Sequence, residues 1–144
     1  MLYEGKKTPH RSCGIALAET FNRRTAPYQS LRKGGLTGCG ECGAIMAGRL
    51  ILGEVFGDPD PTGAPTAVLM EAMVDFEALW NARVNRKNAP GVSIVCNTLT
   101  GQFEEFRSPE RAAFCTDLAA TVAECVAEVM LQHGADFETT PIEG

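Results

Sequence analysis

The chain has 144 residues, 44% apolar and 22% charged, which fits one globular domain over 1–144 and excludes disordered, collagen-like and fibrous classes. Its net charge of −5 is spread without long runs, so the basic face that nucleic-acid backbones require is missing and no nucleic-acid partner is expected. No window approaches the ~20 apolar residues of a membrane span, and Cys13 to Ala18, closed by Glu19, is too short for a secretory core.

In chain order, residues 1–8 read as loose. Pro9 to Arg24 reads as an amphipathic helix, with Thr8 as its cap and Pro9 in the first turn. Pro27 closes it, and Tyr28 to Lys33 suggests a short second helix. The segment Gly34 to Gly48 holds six glycines and two cysteines. From about Glu41 to Phe56 an apolar pattern predicts a central helix, and Gly57 to Gly63 is a break rich in Asp and Pro. Ala64 to Arg86 is the longest periodic run; Met73, Phe76 and Trp80 on it read as core or dimer contact. Gly91 to Gly101 is ambiguous. Val92, Ile94 and Val95 favour a strand, but one short strand has no evident partner, so extended chain or a short helix around Cys96 is expected. Ser108-Pro109 caps the last long helix, His133-Gly134 ends it, and residues 135–144 read as loose. The predicted fold is all-α: a bundle of three long helices plus one or two short ones.

The glycine segment does not cradle phosphate. A Walker loop requires Lys before Ser or Thr, and Gly43 is followed by Ala44; no strand precedes the segment for a dinucleotide fingerprint. Gly43 also stands where a haem-attachment motif needs histidine. Cysteine chemistry remains. The expected compartment is the cytoplasm, where reducing conditions favour free, catalytic or metal-bound cysteines over structural disulfides. Cys39-Gly-Glu-Cys42 is a C-x-x-C whose second thiol falls at a helix start, where unpaired N–H groups and the helix dipole stabilise a thiolate. Small residues filling a tight helix crossing are the structural alternative.

Cys13, Cys42, Cys96 and Cys115 each sit near an element start or in a loop, beside apolar stretches. Four thiols from four elements can therefore meet at one end of a bundle. The pattern resembles the C_GCAxxG_C_C family of small redox-active proteins over nearly the whole chain. The match runs through Ser12 to Leu17, Gly34-Gly35-Leu36 with Cys42-Gly43-Ala44, Cys96 to Gly101, and Cys115. Ala47 stands where the family's last motif glycine falls, with Gly48 after it; alanine still permits close helix packing.

The resemblance implies a redox-active protein, and a related domain in split-Soret cytochromes makes an iron–sulfur cluster or other thiolate-bound metal an expectation. Cys13, Cys42, Cys96 and Cys115 would be the ligands. The spacings match no ferredoxin or zinc-finger signature, so cluster, zinc and a metal-free dithiol/disulfide couple stay open. In the metal-free form Cys42 is the attacking thiolate. Cys39 reads as fifth ligand, resolving thiol or bystander, and Cys125 as a core thiol. His10 and His133 read as solvent-facing or capping, and Arg32-Lys33 as solvated surface. An electron-transfer or accessory role is expected over a substrate-converting enzyme, with a redox partner protein and a homodimer. The rival is a structural or interaction module whose cysteines hold zinc or are simply buried.

Overall fold

The computed structural model describes residues 1–139, and among them it is all-α. Its helices are α1 (Cys13–Thr20), a 3-10 helix (Ala26–Leu31), α2 (Gly43–Phe56), α3 (Ala67–Arg83), α4 (Cys96–Thr100) and α5 (Pro109–Gln132). Among the described residues none is long and apolar enough to cross a membrane.

Helix α2 is the hub. It packs against α1, α3, α5 and the 3-10 helix, and Ala44, Ile45, Ala47, Ile51 and Leu52 lose all solvent contact. An element apolar on nearly every side must be surrounded to be stable. Its crossing with α3 depends on Gly48, where a Cβ would stand 2.4 Å from the fully buried Phe76 ring. Phe76 and Trp80 are thus core residues, and α5 closes the bundle with Val122, Cys125, Val126, Val129 and Met130, all fully buried.

Helix ends matched expectation where the signal was local. Ser108 accepts a hydrogen bond from the Arg111 N–H at 3.2 Å, Pro109 opens α5, and His133 with left-handed Gly134 ends it. His133 also bonds Asp75 at 2.8 Å. Elsewhere long-range pairing moved the ends. Helix α1 begins at Cys13 behind Ser12, not at Pro9 behind Thr8, because the preceding chain turns back on residues 2–3: Arg11 N–H donates to Leu2 C=O at 3.0 Å, and His10 Nδ1 contacts Tyr3 C=O. It stops at Thr20 rather than Arg24, since Asn22 adopts φ +56°. Helix α3 is trimmed from Ala64–Arg86 to Ala67–Arg83, capped by Thr66, whose hydroxyl accepts from Leu69 N–H at 3.1 Å. The second short helix is a 3-10 helix ending at Leu31 instead of Lys33.

Both ends of the described chain pack more than composition suggested. Leu2 is buried. Ala135 and Phe137 lie against the core, with the Phe137 ring 5.4 Å from Phe21; the rest of the expected loose tail, 140–144, lies outside the described residues.

Two substitutions probe this account. Phe76→Ala should cost about 3–5 kcal/mol, as for other buried aromatic truncations, and Ser108→Ala about 1 kcal/mol through the lost cap. Urea unfolding of the purified variants reads both.

Candidate functional site

The glycine segment owes its path to main-chain pairing with residues 94–97. Cys42 N–H donates to Ile94 C=O at 2.7 Å, Cys96 N–H to Gly40 C=O at 2.8 Å, and Asn97 N–H to Gly38 C=O at 2.9 Å. Glu41 and Val95 form an isolated antiparallel bridge. The β-branched run that lacked a partner in the sequence therefore has one, a single bridge from Val95 to Glu41 inside the C-x-x-C. This pairing also explains why α2 starts at Gly43, with Cys42 as its N-cap, rather than at Glu41. Gly34 is required at the seam: its φ is +56°, and a Cβ there would meet Cys96 Cβ at 2.5 Å.

The seam sets Cys42 and Cys96 on one wall of a cavity of about 180 Å³. Helix α1 adds Cys13 at its first position, and α5 adds Cys115 in its second turn. All four thiols line the cavity, and each is near enough to feel the charge of the other three. Among the described residues, no three His, Cys, Asp or Glu side chains gather tightly enough, as placed, to hold one metal ion. Cys39 is exposed and not among the residues lining the cavity. Cys125 is fully buried in the core.

The four thiols are chemically unequal. Hydrogen bonding from the Cys13 thiol lowers the Cys42 pKa; burial opposes this, and the N–H groups of Ile45 and Ala44 in the first turn of α2 reinforce it. Cys13, as the donor, is correspondingly raised, with burial adding to the shift. Burial raises Cys96, opposed by Thr100 and Lys33. It also raises Cys115, opposed by Arg111 and Tyr3. Of the four, Cys42 is the thiol whose charged form the surroundings favour, and Cys13 is the one that donates to it. Glu41 lies beside Cys42 but is paired with Arg49 at 2.7 Å; its charge disfavours the Cys42 thiolate.

Several lining groups were not foreseen. Arg111 lies one helical turn before Cys115, and that spacing of four was a readable signal. The Arg111 guanidinium donates to the Tyr3 hydroxyl at 2.5 Å. Tyr3 carried no local signal, being brought in by the folded-back N-terminal segment; burial, then the neighbouring Cys115, raise its own pKa. Lys33 and Phe106 complete the lip, 4.9 Å from ammonium to ring centre.

The inequality is measurable. In pH-dependent alkylation of the reduced chain read by mass spectrometry, Cys42 should begin to react below the ordinary thiol range, and Cys96 and Cys115 only above it. Cys13→Ala removes the main support of the Cys42 thiolate and should move its midpoint upward. No protein-family model, no curated protein and no solved structure matches this chain.

Proposed function

We propose that this chain is a cytoplasmic redox protein whose centre is the four-thiol cavity, and that Cys13, Cys42, Cys96 and Cys115 are the ligands of an iron–sulfur cluster. The supporting observation is the convergence of four thiols, from segments spread across about 100 residues, on one small cavity. Thiols are rarely gathered so densely by packing alone, and four soft thiolate donors are the usual set for such clusters. Zinc bonds to sulfur at about 2.3 Å, so a single zinc ion would need the sulfurs to close in further than they stand. The resemblance to the C_GCAxxG_C_C family points the same way.

A cluster bound there supplies single-electron transfer. The chain's own groups prepare the ligands. The N–H groups of Ala44 and Ile45 favour charge on Cys42. Arg111 and Tyr3 do the same at Cys115, and Thr100 and Lys33 at Cys96. Apolar Leu99, Phe114 and Leu118 line the cavity, so part of the wall beside the sulfurs is apolar.

A second reading, a dithiol/disulfide couple, is favoured by the hydrogen bond from Cys13 to Cys42. There Cys42 attacks the disulfide of a redox partner protein and Cys13 resolves the mixed disulfide, losing its proton to solvent.

Anaerobic purification followed by visible spectroscopy and analysis for iron, sulfide and zinc decides between them. The cluster reading expects visible charge-transfer absorption with iron and sulfide, lost in Cys42→Ser and retained in Cys125→Ser. Metal-free protein with a reversible two-thiol oxidation moves the assignment to the dithiol. Colourless protein with stoichiometric zinc moves it to a structural module and overturns the redox reading.

A further inference from the structure

Of the residues lining the four-thiol cavity, none is Asp or Glu, while His10, Arg32, Lys33 and Arg111 all line it. This stands out in a chain of net charge −5. Elsewhere among the described residues some cations, such as Arg11, Arg23, Arg49 and Arg83, pair with a glutamate and others, such as Arg24 and Lys87, do not, so it is the absence of any carboxylate in the cavity lining that sets this site apart. Among the described residues, Arg32, Lys33 and Arg111 form no carboxylate ion pair; Arg32 contacts the Gln29 side-chain oxygen at 3.3 Å, and Arg111 is held by Tyr3. Arg32 and Lys33 are exposed, at the end of the 3-10 helix. The Lys33 ammonium and Arg111 guanidinium both stack on Phe106, 4.9 and 4.2 Å from its ring centre. A cleft with low-dielectric walls focuses the field of such a rim and concentrates ions of opposite sign.

We propose that the mouth of this cavity is an anion-selective entrance, and that the site takes as its small-molecule reactant an organic anion with a flat apolar body. The inference rests on the dithiol/disulfide reading above, in which the cavity holds no cluster. The charged head of the reactant meets Arg32 and Lys33 at the lip. Its body lies among Phe106, Leu99, Phe114 and Leu118. Size agrees: an apolar cavity of about 150 Å³ admits benzene, and this one measures about 180 Å³. At the lip a cation would face the charges of Arg32, Lys33 and Arg111 with no carboxylate to offset them.

Two aromatic disulfides of similar shape and opposite character in charge test the entrance: anionic dithiobis(nitrobenzoate) and neutral dithiodipyridine. The full chain is used reduced and chelator-treated, in a Cys39→Ser background so that the exposed thiol is silent. In each reaction the Cys42 thiolate attacks one reagent sulfur and the reagent S–S bond breaks; the other half leaves as the yellow nitrothiobenzoate thiolate from the anionic reagent, or takes a proton from solvent to become ultraviolet-absorbing thiopyridone from the neutral one. Cys42 is oxidised to the mixed disulfide and the released half is reduced. Rates are normalised to those of free cysteine, and the labelled residue is identified by mass spectrometry. At low salt the anionic reagent should be favoured about tenfold. That preference should fall toward parity in about 0.5 M salt and in the double variant Arg32→Glu, Lys33→Glu, whose folding is checked by circular dichroism. Equal normalised rates at low salt, or a preference that survives the double variant, overturn the inference alone. A cavity whose thiols react with neither reagent overturns the inference and the dithiol/disulfide reading together.

Discussion

The site depends on one short main-chain seam. Three hydrogen bonds and a single bridge join residues 38–42 to 94–97, and they bind together two segments separated by some fifty positions. Each side supplies a cysteine. Neither side has extensive regular structure of its own to hold it, since the first is glycine-rich and the second is a three-residue run, 93–95, leading into the five-residue helix α4. Buried backbone groups must find partners, and here each segment is the partner of the other. The geometry of Cys42 and Cys96 is therefore set by peptide groups rather than by side-chain packing.

The bundle around the seam does different work. Helix α2, capped by Cys42 and buried on most faces, aims its first-turn N–H groups at that sulfur while its remaining length anchors the core. Helix α5 brings Cys115 and Arg111 on the same side, four residues apart, and α1 brings Cys13. The acid–base inequality among the thiols follows. The sulfur at a helix start with a thiol donor beside it carries charge most readily, and those surrounded mainly by apolar atoms hold their protons. The proton therefore leaves Cys42 more readily than it leaves its three neighbours.

What was legible in the sequence was whatever short-range chemistry decides. Ser108-Pro109 and His133-Gly134 mark α5 because a cap and a left-handed stop act within a turn. The all-round apolar character of Ala44 to Leu52 announces a central helix. Less legible were features made by distant partners. Thr8 looks like a better helix start than Ser12 until residues 2–3 fold back on 10–11. Val92 to Val95 looks unpaired because its partner is only Glu41 and its neighbours. Tyr3 reaches Cys115 from a segment of unremarkable composition. Cysteine positions, by contrast, carry chemical identity whatever the fold, so four of the cavity's lining residues could be named from spacing and element ends, while the cationic lip could not.

The wide separation of the four cysteines along the chain has a consequence for the protein's lifetime. Any tie between two sulfurs, whether a disulfide or a shared inorganic core, closes a loop that the unfolded chain must carry with it. For Cys13 and Cys42 the loop is roughly 30 residues, and the lost chain entropy amounts to about 3.5 kcal/mol in the loop-closure picture. The chemical state of the centre would thereby govern how often the polypeptide opens to proteases, so that chains with an empty, reduced centre would be cleared from the cell first.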